Sequence, residues 1–480
     1  MHLKDKVVSG VKWNTVAIVY SMVLQLLRLV VLTRFLEKAD FGLVAIATMI
    51  ISFTDIFSDL GITIALIHKQ DITERQYSSV FWLNIFISFA LYGGVCALTP
   101  FVARYYSEEA LLIIVPLLSA QILLNSFGKM FQTIKTKELE FVFLSKVRIV
   151  SQTAGFILTV ILAFLGCGVF SLVWGQLLHV AINQMCYIVA GRRGTKISFH
   201  FNISEICDIL SIGVFQLGSR LFDVAASKID VILIGKFFGM EDLGVYNLAK
   251  ELVYRPIQIF QQLVNNIATS AFAKIQTNLV AVRRSLSTLL HSITFISFPV
   301  FLSMFVFANP IINLLYSNKF ADAAFFLKVL SIAGVFITIE GIASALLGSY
   351  GKTKITFMMT LLHTVLSITI VLIASTMTIK DLAYGQVVIA LISYFLYWRF
   401  AIRQTIDMPL SEYMNSVKTP LLVTLLASIP FYIVSLIWHY SIITGLVFVA
   451  VFGAVYILLY YLIDKQFIVN TVHTFIKRKK

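Results

Sequence analysis

The sequence predicts an all-α polytopic membrane protein of about fourteen transmembrane helices. Three observations predict it: long apolar runs, a lopsided placement of basic residues, and an internal repeat. Hydrophobic residues make up 59% of the 480 and charged ones only 13%, with mean hydropathy +0.89. An average soluble domain carries about 25% charge.

Apolar runs near twenty residues, the length that crosses the hydrocarbon core, fall at 13–35, 41–66, 79–103, 110–128, 141–164, 169–190, 207–236, 244–270, 289–309, 322–349, 355–377, 381–402, 417–437 and 441–463. The first run is too long for the h-region of a cleavable signal and reads as the first span. No connection exceeds about eighteen residues, which leaves no room for an extramembrane catalytic domain.

Net charge is +14, which in a soluble protein would suggest nucleic acid. Its placement says otherwise. With the N-terminus cytoplasmic, 26 of the 38 basic residues fall in the termini and the loops on that side, from Lys4, Lys6 and Lys12 through Arg192, Arg193 and Lys196 to Lys477–Lys480. Seven (Arg34, Lys38, Arg104, Lys236, Lys319, Lys328 and Lys380) fall opposite, and the remaining five lie within spans. That is a positive-inside bias, so both termini are expected in the cytoplasm, membrane lipids are the expected surroundings, and no nucleic-acid partner is expected. The four cysteines have no ligand-like spacing, so no metal or cofactor is expected.

The chain repeats itself. Val31-Leu32-Thr33-Arg34-Phe35 with Asp40-Phe41-Gly42-Leu43 aligns with Leu233-Ile234-Gly235-Lys236-Phe237 and Asp242-Leu243-Gly244-Val245. Lys135-Thr136-Lys137 recurs as Lys352-Thr353-Lys354, and Trp174-Gly175-Gln176 as Tyr384-Gly385-Gln386. Spans one to six thus correspond to spans seven to twelve. An even number of spans per unit gives both the same orientation, so a pseudo-two-fold along the membrane normal is expected. The expected organisation is a six-helix bundle over 1–190, a cytoplasmic interfacial linker over 191–206, and a second six-helix bundle over 207–403. Two C-terminal helices and a basic tail follow over 404–480. Alternating Ile197, Phe199, Phe201 and Ile203 mark the linker as interfacial.

Charge inside the spans is concentrated. Gln216, Arg220, Asp223, Ser227 and Asp230 recur at steps of four and three, which puts them on one helical face. Asn14, Ser21, Gln25 and Arg28 share a face of the first span, and Asp55 and Asp59 share one in the second. The eighth carries Lys250, Glu251 and Arg255. With Lys228 and Glu340 this makes five basic and six acidic groups, all but Glu340 on spans one, two, seven and eight. A charge at mid-bilayer costs roughly 2.5–3.5 kcal/mol on insertion scales, so these faces should line a hydrated cavity. Internal ion pairs fixing helix packing are the other reading, and Arg220–Asp223 and Glu251–Arg255 have the spacing for it. The histidines are scattered without an evident acid–base partner.

Phe57-Ser58-Asp59-Leu60-Gly61-Ile62, Asp71-Ile72-Thr73 and Ser79-Val80-Phe81-Trp82-Leu83-Asn84 are specific. With Phe41-Gly42-Leu43-Val44-Ala45, Tyr246-Asn247-Leu248-Ala249 and Ala271-Phe272-Ala273-Lys274-Ile275, they resemble the polysaccharide transporter family. That family includes colanic-acid and teichuronic-acid exporters and is similar to Wzx-type O-antigen flippases, within the multidrug/oligosaccharidyl-lipid/polysaccharide exporter superfamily. The resemblance is strongest over residues 10–90 and 205–280. It implies a bacterial inner-membrane transporter, not an enzyme, moving an undecaprenyl-pyrophosphate-linked oligosaccharide from the cytoplasmic to the outer leaflet by alternating access. Polysaccharide polymerase and chain-length machinery are the implied partners.

With that substrate, Arg28, Arg220, Lys228, Lys250 and Arg255 are the candidates for binding pyrophosphate or acidic sugars, because guanidinium and ammonium groups pair with such oxygens. Gln25 and Gln216 accompany them. Asp55, Asp59, Asp223, Asp230, Glu251 and Glu340 are the candidates for coupling to H+ or Na+. A multidrug cation antiporter of the same superfamily is the nearest alternative, and its site should be net acidic and aromatic. A membrane glycan polymerase or ligase would need a sizeable outer loop, which this sequence lacks.

Overall fold

The computed structural model describes residues 3–59, 66, 72–191, 197–437 and 442–469, and among them there is no strand. The helices are α1 (Leu3–Phe35), α2 (Lys38–Asp59), α3 (Glu74–Tyr106), α4 (Leu111–Lys137), α5 (Phe141–Phe164), α6 (Val169–Gly191), α7 (Cys207–Phe237) and α8 (Gly239–Ile275). They continue with α9 (Leu279–Val306), the short α10 (Ala308–Leu315), α11 (Ala323–Ser349), α12 (Thr353–Ser375), α13 (Ile379–Leu396), α14 (Leu410–Ile437) and α15 (Ile442–Ile463).

Eleven of the described helices are long and apolar enough to cross a membrane. α7 and α8, of 31 and 37 residues, are long enough but interrupted by charge. α15 adds the shorter apolar run Val447–Ile463. These three bring the eleven to the fourteen spans that the sequence predicts, in a multi-pass membrane protein. Only helices suit that solvent here, since lipid offers no partner to an open backbone group. Hydroxyls within the spans are satisfied locally: Thr99, Thr159, Thr294 and Thr338 donate to the carbonyls four residues earlier at 2.7–2.9 Å. α10 is an element that the apolar runs do not reveal, because it lies between spans.

The chain forms two compact units, Met1–Asn247 and Leu248–Lys480. In the first, α1 packs on α5, α5 on α6, α4 on both α3 and α6, and α2 on α4 and α7. The stretch 197–205 is strapped along the start of α3. Ser198 N donates to Ser78 Oγ at 3.0 Å, and Asn202 N to Ser79 Oγ at 3.1 Å. Trp82 Nε1 donates to Ser198 O and Gln76 Nε2 to Glu205 O, both at 3.0 Å. Trp82 also stacks on Phe199, with ring centroids 5.0 Å apart. The strap holds its backbone polar groups on α3 and leaves Phe199, Phe201 and Ile203 exposed, an arrangement suited to the headgroup layer.

In the second unit α11 is the buried centre. Leu327, Leu330, Ala333, Thr338, Ile342 and Leu346 are all shut in, as expected of a helix that is apolar all round. α9 and α13 flank it, and α14 packs on α9. α15 packs on α14 and α10. Phe307, Phe431 and Phe452 pack edge to face at this junction, with centroids 5.8–6.1 Å apart. Tyr456 donates to Phe295 O at 2.8 Å.

Candidate functional site

The polar face of α1 opens into a cavity within the first unit. Ser21, Gln25 and Arg28 recur at four and three residues, so all three point the same way. They meet Gln152, Gly155 and Phe156 of α5 and Gly175, Gln176 and His179 of α6, around a space of about 160 Å³. Two glycines bring these helices close enough. A Cβ added at Gly155 would lie 2.7 Å from Gly175 O, and one at Gly175 would collide with Thr159 Oγ1. Gly175-Gln176 is the pair that recurs in the sequence as Gly385-Gln386. A Cβ at Gly385 would lie 3.1 Å from Ile370 of α12, so the repeated glycine marks a tight helix crossing in both units.

Hydrogen bonds fix the walls. Ser21 Oγ donates to Gln152 Oε1 at 2.5 Å, which orients that amide with its nitrogen free for another partner. Tyr20 and Thr153 hydroxyls pair at 2.5 Å, a second tie between α1 and α5. Asn183 Nδ2 donates to Ser151 Oγ at 3.1 Å and Gln176 Nε2 to Gln121 Oε1 at 3.4 Å. The lining offers one guanidinium, three primary amides, a hydroxyl and an imidazole, with no carboxylate. Such a set binds oxygen-rich anions or polyols. At this volume, below the roughly 300–1,000 Å³ of drug-sized pockets, it takes part of a headgroup and not a whole glycan.

Sequence reasoning names Gln25 and Arg28 and misses Gln152, Gln176 and His179. The available signal was Gln176 and His179 three apart on a span whose Gly175-Gln176 is itself repeated.

The other predicted residues stand elsewhere. Arg220 and Lys228 are half-buried on α7, and Asp223 is exposed there. Asp230 is 1% exposed and accepts from Tyr246 Oη at 2.7 Å. Its second oxygen accepts from Val231 N at 2.8 Å. In the second unit Lys250 is buried with its ammonium 5.3 Å from the Tyr254 ring. Arg255 Nη2 and Glu251 Oε2 form the expected i,i+4 pair at 3.5 Å. Glu340 Oε1 is buried on α11 with no hydrogen-bond partner among the described residues. Asp55 lines a second polar cavity of the first unit, away from Arg28. Asp59 and Gln216 lie outside the residues whose side chains are described. The histidines are less scattered than the sequence suggests: His291 Nε2 bonds Tyr460 Oη at 2.6 Å and lies 3.7 Å from Asp464 Oδ2.

Residues 31–325, well over half the chain, match the family described as polysaccharide biosynthesis protein. The chain belongs to that family. It is 28% identical to the teichuronic acid biosynthesis protein TuaB of Bacillus subtilis, over 88% of this chain and 87% of that protein. The lipopolysaccharide biosynthesis protein WzxC of Escherichia coli is 24% identical over 88% of this chain and 87% of its own length. Among solved structures, the lipid II flippase MurJ in an inward closed conformation superposes with a TM-score of 0.75, over 95% of this chain and 99% of that one. Identity there is 14%, so this likeness speaks to the fold alone. The family and the spans agree on a multi-pass membrane protein of polysaccharide biosynthesis.

Proposed function

We propose that this protein carries a lipid-linked anionic glycan, with an undecaprenyl-pyrophosphate headgroup, from the cytoplasmic to the outer leaflet of a bacterial inner membrane. The observation that carries this reading is the Arg28 cavity: a cationic, amide-lined, carboxylate-free pocket inside the span region of a polysaccharide biosynthesis protein. A pyrophosphate or acidic sugar cannot cross hydrocarbon unaided, and a guanidinium with three amides replaces its water shell. The lipid tail stays in the bilayer while the headgroup is handed outward by alternating access between the bundles 1–190 and 207–403. Arg220, Lys228, Lys250 and Arg255 are further candidates for binding the anionic substrate, with Asp223 and Glu251 as candidates for coupling. A negative-inside potential favours outward movement of an anion by roughly 2.3 kcal/mol per charge per 100 mV. Entry of H+ or Na+ is the further driving term. Both termini are cytoplasmic in this reading, and a polymerase receives the product.

The test is complementation of a deletion strain with Arg28→Ala and Gln176→Leu. Surface polysaccharide is lost while membrane protein levels stay normal, and an undecaprenyl-linked precursor accumulates. Normal polysaccharide in both variants refutes the assignment. Restored drug resistance without polysaccharide would favour the antiporter instead.

A further inference from the structure

Beneath the strap the first unit holds a larger cavity of the opposite character. About 840 Å³ in volume, it runs between Trp82 and Phe89 of α3, Phe127 and Phe131 of α4, Ile188 of α6 and Phe199 of the strap. Phe131 is 1% exposed and belongs to the hydrophobic cluster that forms the floor, on which Ile188 and Ile197 also pack. Phe89 and Phe127 lie well inside their spans and are 53% and 38% exposed, so the cavity is a groove open to the side.

This lining is a poor host for water. The one polar side-chain atom of Trp82 donates to Ser198 O at 3.0 Å, and Ser198 Oγ lies 3.3 Å from Ser78 Oγ, so both are already paired within the protein. A buried water needs about two to four polar partners, and the groove offers aromatic and aliphatic carbon instead. Left empty, its walls forfeit their dispersion contacts. The apolar matter beside spanning helices is the hydrocarbon of the bilayer. The groove also has nearly the depth of one leaflet. Trp82 stacks on Phe199 of the strap, whose exposed Phe199, Phe201 and Ile203 suit the headgroup layer. Phe89 lies two turns further along α3, about 11 Å at 5.4 Å per turn, against about 15 Å for half the hydrocarbon core.

We infer that this groove binds one acyl chain of a membrane phospholipid, drawn from the leaflet on the strap's side. The chain lies along α3 between Phe89 and Phe127, with its headgroup end beside Trp82 and the strap. An undecaprenyl chain is far longer than the groove, so the occupant is a bulk lipid and not the tail of a cargo. Its binding needs no glycan, so it stands or falls apart from the export reading above.

The experiment uses full-length protein purified in detergent and stripped of lipid, with Trp13, Trp174, Trp398 and Trp438 replaced by Phe so that Trp82 alone fluoresces. Thermal melting establishes that this protein and each variant of it are folded. The probe is phosphatidylcholine brominated in its acyl chains, and quenching that saturates near equimolar lipid is expected. Ile85→Phe and Ile188→Phe, both on the lining, fill the groove. Each raises the half-quenching concentration about tenfold, the loss expected when about two methylenes lose their place. Phe86→Ala, at a position on α3 that is 73% exposed and outside the lining, leaves it unchanged. Absent quenching, quenching that grows without saturation, or quenching that ignores both fillers overturns the site. Undecaprenyl phosphate that relieves the quenching at a lower concentration than unbrominated phosphatidylcholine gives the groove to the cargo and overturns the assignment to bulk lipid. A dimer that both fillers dissociate makes a second copy the occupant and overturns it as well.

Discussion

Gly42 and Gly244, 202 residues apart and at equivalent places in the repeat, pack against each other through reciprocal contacts. A Cβ on Gly42 would collide with the carbonyl of Met240, and one on Gly244 with the carbonyl of Lys38. Met240 and Lys38 are themselves 202 apart, so the two contacts are the same contact seen from each repeat. The backbones of α2 and α8 touch here with no side chain between them, much as small residues let membrane helices approach. Alanine at either position forces the helices apart, at about 1–3 kcal/mol by analogy with overpacked cores. Each single variant should melt at lower temperature in detergent. The double variant should lose less than the sum, because both changes relieve one crossing. Additive losses would refute the reciprocal contact.

The Gly155–Gly175 crossing bears on the Arg28 cavity. Gly175→Ala drives a methyl into Thr159 Oγ1 and shifts α6, which carries Gln176 and His179. Export should fall as steeply as in Arg28→Ala although no cationic group has been touched. Adding Thr159→Ala removes the colliding oxygen and should recover part of the loss. Surface polysaccharide in the single and double variants measures both. No recovery would mean that the contact with Gly155 O alone sets the spacing.

Asp230 is a sequence candidate for ion coupling whose surroundings argue for packing. Its carboxylate accepts from Tyr246 Oη inside the first unit, with almost no exposure. Tyr246→Phe leaves a buried acceptor without its donor, at a cost of about 1–3 kcal/mol. Asp230→Asn keeps an oxygen for the tyrosine and should melt nearer to the parent. Both should still export at a temperature where they are folded. Export lost in folded Asp230→Asn would return this residue to the transport machinery.

How far the sequence could be read follows from the same contacts. Span number and the repeat were legible because hydropathy and short motifs are local properties of the chain. The repeat motifs also announced their cause: Gly42, Gly244, Gly175 and Gly385 all sit where helices come close. The face of α1 with Gln25 and Arg28 was legible as polar, but its partners were not. Which helices stand opposite is set by packing between α1, α5 and α6, and no periodicity within one helix encodes that. The sequence also treated the buried charges as one population. Asp230 under Tyr246, Asp55 in a polar cavity lined also by Lys129, and Glu251 beside Arg255 are three different environments, distinguishable only once their neighbours are known.

The Glu251–Arg255 pair separates stability from function most cleanly. The two groups lie one helical turn apart at 3.5 Å, with side chains 42% and 39% exposed. Exposed i,i+4 pairs contribute about 0.3–0.5 kcal/mol, because solvent screens them and two long side chains must be ordered. A double-mutant cycle with Glu251→Gln and Arg255→Gln should therefore give a coupling below about 1 kcal/mol in melting. As a proposed substrate-binding group, Arg255 should matter far more to export. Arg255→Gln should lose most surface polysaccharide with melting almost unchanged, and Arg255→Lys, which keeps the charge but not the planar fork, should retain an intermediate level. Full export in Arg255→Gln would leave the pair as a minor helix-stabilising contact and remove Arg255 from the substrate path.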